Sequence, residues 1–393
     1  MVQTLDDFDI HAPNAREGAE CLWASMRAAK GLVRSEKYGG FYVAARFDDA
    51  LAVLTKPALF ASGKGITLPP PDGVRSFHIP AEIDPPAHRE FRALMAPLLS
   101  ANHARAMEPA IREIARGLIE RIPSGETVDF VQAFARPLPI LVALDLMGLP
   151  RGDADDLELM VDELHREVAT GESTGASERL KLYAERVVAE RSAIATDPAA
   201  DVVTSIVLGS AFGRKLKPDE QMSMVRQILV GGFDTTSIAL ATMLWWLAGA
   251  PEEAKRLRAD PAAIDLASEE IVRFASPSTY LRREVTEDTT LAGTLLRKGD
   301  SVLVAFGAAN HDPAKFSCPQ RIEATRKPNA HIGFGAGHHR CVGSFIAKAQ
   351  LRVAIEEILA GFSSFAVDES RPIDFTTGLG QGIVALPISF TRT

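Results

Sequence analysis

Cysteine is scarce in this sequence, and its spacing limits what the thiols can do. The chain has 393 residues and three cysteines, Cys21, Cys318 and Cys341. They are odd in number and far apart, and none belongs to a C-x-x-C pair, which argues against a disulfide framework and against a tetrahedral zinc site. Each cysteine must therefore be interpreted from its own surroundings.

Long apolar runs are also missing. The first residues, MVQTLDDFDIHAP, are acidic and contain no apolar stretch, so we expect no secretory signal. The longest apolar stretch covers residues 237–250, which is shorter than the ~20 residues that a membrane span needs. We therefore expect a cytoplasmic protein that binds no membrane.

A surplus of positive charge is missing too. The formal net charge is −8, which does not favour non-specific nucleic-acid binding. Hydrophobic residues make up 46% and charged residues 24%, as in ordinary globular proteins. A chain of this length suggests several domains at roughly 150 residues each. No linker divides the pattern, however, so we predict a single domain over residues 1–393.

Helical periodicity dominates what is present. Helices are predicted over residues 15–29, entered through Asn14, over most of 87–200, and over 262–274 and 342–360. A long helix over residues 218–247 has a second half that is apolar nearly all round, so we expect it to be buried. Short strands are predicted as a hairpin within residues 31–47 and near 281–287 and 301–306.

The most specific motif is the segment FGAGHHRCVG at residues 334–343. Glycine lets the backbone pass close to a ligand, and the predicted helix that follows Cys341 should lower the pKa of its thiol through the helix dipole. Other interpretations are a small buried thiol, a phosphate-binding loop, although no full G-x-G-x-x-G is present, or a metal site with His338 and His339 that lacks a second ligand cluster.

A second motif, GGFDTT at residues 231–236, lies inside the long helix. Each glycine there costs up to about 1 kcal/mol relative to alanine, and a flat ligand against the helix would explain that cost. Thr235 can donate its hydroxyl to a carbonyl one turn back and bend the helix. Asp234 is costly in an apolar stretch unless it is paired. The alternative is a kinked core helix with a capped aspartate.

These segments resemble two motifs of the cytochromes P-450: the haem-binding signature F-G-x-G-x-H-x-C-x-G and the acid–alcohol motif (A/G)-G-x-D/E-T. The segment DPPAHREFR at residues 84–92 resembles the family's D-P-P-x-H-x-x-x-R helix start. The resemblance covers nearly the whole chain, with the motifs in family order. It implies a mostly α fold with a small β region, forming a single haem domain, and a haem-thiolate monooxygenase.

The resemblance also implies roles for individual residues. Cys341 is the axial thiolate ligand of haem b, Thr235 hydrogen-bonds dioxygen, and Asp234 helps to deliver protons. Arg282 replaces Arg283 as a propionate ligand if the strand register is shifted by one. The remaining implied sites are haem contacts at Phe334, Gly335, Gly337, Gly343 and Gly231, propionate ligands at His88, Arg92, Arg283 and His339, and a structural group of Glu270, Arg273 and Arg326.

The substrate is expected to be a small apolar molecule, terpenoid or aromatic. By the same resemblance its pocket lies within residues 62–83 and at later positions. A carbonyl or carboxylate can be anchored by the polar side chains of Arg75, Ser76, His78 and Gln227. The alternative is that these are solvated loop residues. The implied contacts are Ser76, His78, Gln227, Val230, Thr279, Leu281 and Leu379.

Dioxygen and two electrons complete the implied reaction. The electrons come from a two-iron ferredoxin with an NAD(P)H-dependent ferredoxin reductase, and we expect a monomer that binds no nucleic acid. A basic face for the ferredoxin is predicted at Arg340, Lys348, Arg352 and Arg89. Two alternatives stay open: a peroxygenase of the same fold, which typically lacks the acid–alcohol pair, and a non-catalytic gas-binding haem protein, which would not need that pair.

Overall fold

The computed structural model describes residues 4–12, 18–69 and 78–393. Within these ranges far more residues lie in helices than in strands, so the prediction of a mostly α protein with a small β region is confirmed. The α-helices are α1 (Ala19–Ala28), α2 (Phe47–Thr55), α3 (Ala87–Met95), α4 (Ala101–Glu120), α5 (Pro137–Met147), α6 (Ala154–Thr170), α7 (Ala176–Ile194), α8 (Val202–Leu208), α9 (Pro218–Gly232), α10 (Asp234–Gly249), α11 (Pro251–Ala259), α12 (Ile264–Ala275), α13 (Phe306–Asn310) and α14 (Ser344–Gly361).

The strands are short and belong to several small sheets. A π-helical turn, Val131–Ala135, precedes α5. The strands are β1 (Val33–Ser35), β2 (Phe41–Ala44), β3 (Phe60–Ala61), β4 (Thr127–Asp129), β5 (Ser210–Ala211), β6 (Arg214–Lys215), β7 (Tyr280–Val285), β8 (Thr289–Leu291), β9 (Thr294–Leu296), β10 (Ser301–Ala305), β11 (Phe362–Val367), β12 (Asp374–Phe375), β13 (Ile383–Ala385) and β14 (Pro387–Arg392).

The largest sheet has five strands in the order β1-β2-β10-β7-β3. Its first two strands form the predicted antiparallel hairpin. Strand β10 runs parallel to β2 and antiparallel to β7, in a register that pairs Val302 with Arg283. Successive side chains of a strand point to opposite faces, so this register places Arg282 and Arg283 on opposite sides of the sheet.

The long central helix is interrupted, where the sequence predicted one continuous helix. The break lies at Phe233, whose φ of −86° and ψ of −71° end α9 before α10 begins. The hydroxyl of Thr235 donates to the carbonyl oxygen of Gly231 at 3.1 Å. This bond takes a carbonyl from the helix ladder, which is the predicted cause of a local bend.

The second half of this helix lies in the core, as its composition predicted. Helix α10 packs against α5, α12 and α14, and α14 packs along α4. Among the described residues, the combined stretch Pro218–Gly249 is the one helix apolar and long enough to cross a membrane, but 61% of its apolar window is buried inside the protein. It is therefore placed as the core helix of a globular fold.

Two helices begin later in the chain than the sequence predicted. The predicted start of the first helix includes Asn14, which lies outside the described residues, and α1 begins at Ala19. Helix α14 begins at Ser344 rather than at Val342, because Gly343 has a ψ of 4° and a non-helical conformation. Cys341 therefore precedes the helix by several residues instead of opening it.

Candidate active site

The cysteine loop is a tight segment closed by backbone hydrogen bonds. The amide of Cys341 donates to the carbonyl of Phe334 at 2.8 Å. Gly335 and Gly337 adopt φ values of +72° and +66°, which favour glycine. A Cβ at Gly337 would lie 2.5 Å from the carbonyl oxygen of Leu54. The loop therefore rests directly on the end of α2, and this fixes where Cys341 sits.

The Cys341 sulfur faces a large cavity. Desolvation raises the pKa of the thiol above its usual range, and the backbone N–H groups of Gly343 and Ser344 and the charges of Arg92 and Arg340 oppose that rise only in part. The amides at the start of the following helix therefore lower this pKa, as predicted, but in the protein alone desolvation has the larger effect and the net shift is upward. A metal ion at the sulfur would reverse the balance, because a coordinating thiol is deprotonated outright.

The described residues place no cluster of further metal ligands beside Cys341. Within residues 4–12, 18–69 and 78–393, no group of three or more His, Cys, Asp or Glu side chains could hold a metal ion. The alternative in which His338 and His339 join Cys341 in a metal site therefore has no support. A metal at Cys341 would need its remaining ligands from a prosthetic group.

The cavity has a volume of about 940 Å³ and separates the cysteine loop from the break between α9 and α10. Gly231, Asp234 and Thr235 line it from the helix side. A Cβ added at Gly231 would meet only the Gln227 side chain, at 3.2 Å, so the glycine opens onto free space. The acid–alcohol pair and the Cys341 thiol thus line the same cavity.

The Asp234 carboxylate is paired, which its apolar surroundings require. Its Oδ2 lies 2.7 Å from Nδ1 of His165 on α6. Burial works against the charged form, yet the hydrogen bond and charge of His165, with a smaller contribution from Arg136, lower the pKa of Asp234 below its usual range. Sequence reasoning missed His165, because no local motif marks it.

Four basic side chains converge at another edge of the cavity: His88 and Arg92 from α3, Arg283 from β7, and His339 from the cysteine loop. The rings of His88 and His339 meet edge to face at 4.4 Å. Desolvation, with nearby cations, lowers the pKa of His88 to about 4 and that of His339 to about 3. Desolvation also lowers the pKa of Arg283 to about 10. The group is a desolvated cradle of two cationic arginines and, near neutral pH, two uncharged imidazoles.

Among the described residues the cradle forms no ion pair with a carboxylate, although Asp84 is close enough for its charge to act on His88 and Arg283. The only hydrogen bond that Arg283 donates within the described chain goes to the carbonyl of Arg282, at 2.8 Å, and Nε2 of His339 is buried without a partner there. The neighbouring arginine has a different role: Arg282 donates to the carbonyls of Lys64 and Gly65 and to the Ser301 hydroxyl. Arg283 is thus the arginine directed at the cavity.

A buried ionic group lies beneath the cysteine loop. Glu270 and Arg273 are fully buried, and Arg326 is 6% exposed. Arg273 forms two 2.8 Å hydrogen bonds with the Glu270 carboxylate, and Arg326 donates to both of its oxygens at 3.0 and 3.1 Å. Arg273 also donates to the carbonyls of residues 310, 319 and 321. The three residues tie α12 to the segment that leads into the loop.

The expected substrate contacts divide into three groups. Ser76, like Arg75, lies outside the described residues. Thr279 does not line the cavity: it is 1% exposed, donates to the Ser276 carbonyl at 3.1 Å and accepts from the Gln381 amide. Its hydroxyl is therefore consumed by the turn before β7. The contacts that do line the cavity are His78, Gln227, Val230, Leu281 and Leu379.

These residues fit a haem. Its iron would take the Cys341 sulfur as a protein ligand. Its two carboxylates would satisfy the cradle, which has a buried imidazole nitrogen without a partner and a desolvated Arg283. Apolar walls and a few convergent polar groups are also the usual build of a cofactor and substrate site.

Comparison with known proteins agrees with this geometry. A sequence model of the family described as cytochrome P-450 matches residues 171–391. The chain is 34% identical to a probable cytochrome P-450 127A1 of Sinorhizobium fredii, over 74% of this chain and 69% of the relative. It is 31% identical to linalool 8-monooxygenase of Pseudomonas putida, over 81% and 82%. A solved structure of a P-450 EryK mutant with erythromycin B aligns at a TM-score of 0.86 and 26% identity, covering 95% of this chain and 96% of the other.

Proposed function

The chain belongs to the cytochrome P-450 family and is a haem-containing monooxygenase of that family, and from this premise we propose that it hydroxylates a small, mostly apolar organic molecule. The observation that carries the proposal is that Cys341 and the Asp234–Thr235 pair line one and the same cavity. The protein acts in the cytoplasm as a monomer, with haem b as its cofactor.

When bound, haem activates dioxygen, and a thiolate ligand favours cleavage of the O–O bond. The chain's own residues prepare that chemistry. Cys341 holds the iron, and the cradle of His88, Arg92, Arg283 and His339 binds the two propionates; a bidentate arginine–carboxylate contact is the strong form of such a bond. Glu270, Arg273 and Arg326 do no chemistry and hold the loop that carries Cys341.

Proton transfer in the cavity depends on Asp234 and Thr235, which lie at the break between α9 and α10. The bend at Phe233 turns the Thr235 hydroxyl toward the cavity while that hydroxyl stays bonded to the Gly231 carbonyl. Asp234 is kept ionised by His165, so it can accept a proton and pass it on. A positioned acid of this kind typically contributes about 10²–10⁴-fold to a rate.

The substrate is a terpenoid or an aromatic molecule. Val230, Leu281 and Leu379 make apolar walls, and His78 and Gln227 are the polar groups that can orient a carbonyl or carboxylate. One relative is named for its action on linalool. A panel of terpenes and aromatic acids tests this assignment, because a bound substrate shifts the spin state of the iron and hence the Soret band.

A two-iron ferredoxin, reduced by an NAD(P)H-dependent reductase, supplies the electrons. Of the predicted basic face, Lys348 pairs with Glu269 at 2.8 Å, and Arg352 is held by Glu108, Asp265 and Glu356. The charge of Arg352 is therefore largely compensated. Arg340 and Arg89 are exposed and have no carboxylate partner within the described ranges, so they carry the attraction for an acidic donor.

Reconstitution with ferredoxin, reductase and NADH tests the function. We expect an oxygenated product that requires dioxygen and all three components. Product formed only with added hydrogen peroxide would favour a peroxygenase. A haem protein that binds carbon monoxide but yields no product with any member of the panel would favour a gas-binding protein.

A further inference from the structure

The bond between His165 and Asp234 joins two helices across the cavity wall. His165 lies near the end of α6, and Asp234 is the first residue of α10, with Nδ1 and Oδ2 2.7 Å apart. The Asp234 side chain is 30% exposed and that of His165 is 44% exposed. Both side chains line the cavity, and His165 is the more exposed of the two.

The charges around His165 favour an imidazolium. Asp234 faces it from α10, Asp162 lies one turn earlier on α6, and Arg136 faces it from the start of α5. Arg136 is itself engaged by Asp162 and by Glu158, the latter at 2.8 Å. Desolvation opposes the charged ring, but the bond to Asp234 and the two aspartate charges raise the pKa of His165 above its usual range.

A histidine differs here from a permanent cation. Lysine or arginine would hold Asp234 in place but would not release a proton near neutral pH, whereas imidazole exchanges protons in that range. The second ring nitrogen of His165 has no hydrogen-bond partner among residues 4–12, 18–69 and 78–393, and the side chain lines the cavity. One ring can therefore contact both Asp234 and solvent.

We propose that His165 is a positioning residue that reloads Asp234 with protons during turnover. The Nδ1 proton of the imidazolium passes to the Asp234 carboxylate, which leaves a neutral imidazole and a protonated acid. Asp234 then releases that proton for the reduction of dioxygen in the cavity and becomes a carboxylate again. A proton from solvent restores the imidazolium. Each cycle moves one proton inward and leaves both residues unchanged. This inference rests on the proposed monooxygenase function.

A pH dependence follows. The imidazolium exists below the raised pKa of His165, so reloading is complete there and is lost as the pH rises through that value. The bonded ion pair also needs an ionised Asp234, so it weakens as the pH falls through the lowered pKa of that carboxyl. Coupled turnover should therefore have an alkaline limb above pH 6.5, the usual imidazole value.

Three variants and one control test the proposal. His165→Gln keeps a hydrogen-bond donor without a titrating group and should lower coupled turnover by about 10²-fold, the low end for a positioned proton donor, with the alkaline limb removed. His165→Ala should behave similarly. His165→Lys should hold Asp234 but not restore the rate near neutral pH. Glu163→Gln removes another ion pair of α6, to Arg179, and should leave rate and limb unchanged if helix loosening is not the cause.

A measurement independent of turnover completes the test. In the diamagnetic ferrous carbon monoxide complex, nitrogen-15 NMR of the histidine rings should give His165 a pKa above 6.5 that falls in Asp234→Asn. An unshifted His165 that ignores Asp234→Asn would overturn the proposal even if the enzyme hydroxylates well. An unchanged alkaline limb in His165→Gln would overturn it as well. Absence of any oxygenated product from the wild type, with the NMR shift present, would instead count against the proposed function.

Discussion

Glu270→Gln is the substitution whose cost the structure defines most sharply. The Glu270 carboxylate is fully buried and accepts hydrogen bonds from Arg273 and Arg326, from the Glu323 amide at 3.0 Å and from the Asn329 side chain at 3.1 Å. Glutamine matches its volume but removes the charge and one acceptor. The buried Arg273 is then left without a counter-ion, and Arg326 keeps only the more exposed Glu323, at 3.4 Å.

Removing one partner of a buried ion pair typically costs about 3–5 kcal/mol. Unfolding entropy is about 2.1 cal/mol/K per residue, so this cost lowers the melting temperature of a 393-residue chain by roughly 4–6 °C. The Cys341 loop should also loosen, because Arg273 and Arg326 anchor the carbonyls of the segment before it.

Calorimetry at a single scan rate checks this, since large haem proteins often unfold irreversibly. Glu269→Gln is the matched control: that neighbouring carboxylate is 33% exposed and bonds His331 and Lys348. A partly exposed carboxylate costs less to neutralise than a fully buried one, so we expect a smaller loss than in Glu270→Gln. Equal losses in the two variants would refute the reasoning, and so would a Glu270→Gln protein as stable as the wild type.

Three further outcomes are expected. Thr235→Ala should bind substrate normally but release several-fold more hydrogen peroxide per NADH, because the hydroxyl that directs protonation is gone; wild-type coupling would contradict this role. Arg340→Gln should slow reduction by ferredoxin and flatten its salt dependence in stopped-flow measurements, whereas Arg352→Gln should change it little because its charge is already paired; the reverse order would place the donor elsewhere. His78→Ala should weaken the binding of an acidic ligand by about 1–3 kcal/mol, the cost of leaving a polar group without its partner, and barely affect the binding of a neutral one. If Soret titrations show the same loss of affinity for acidic and neutral ligands, His78 does not anchor a carboxylate.

Sequence alone was sufficient where chemistry is concentrated in a short segment. The cysteine loop and the glycines of the long helix are local patterns. Glycine occurs in them because the backbone must pass close to a ligand, and the threonine that follows bends the helix. The Thr235 bond to Gly231 was predicted because a helical threonine reaches only the carbonyl one turn back. The five-stranded sheet could be predicted only in pieces, since the pairing of β10 with β2 joins distant segments.

Effects that depend on the tertiary environment could not be predicted. The net shift of the Cys341 pKa could not be predicted, because a dipole argument gives the sign of the helix contribution but not the larger opposing effect of desolvation. Arg352 looked like a free surface charge, but acids from α4 and α12 reach it. His165 lies far from Asp234 in the chain, and no spacing rule links them. Thr279 was expected in the pocket, yet the turn before β7 consumes its hydroxyl.

The thiolate of Cys341 as the axial ligand is the central assignment, and the ferrous carbon monoxide spectrum tests it most directly. The purified wild type should show the red-shifted Soret band that thiolate ligation produces. Cys341→Ser should lose that band, and Cys318→Ser, which changes an exposed thiol outside the cavity lining, should retain it. A normal band in Cys341→Ser would contradict the assignment of Cys341 as the thiolate ligand.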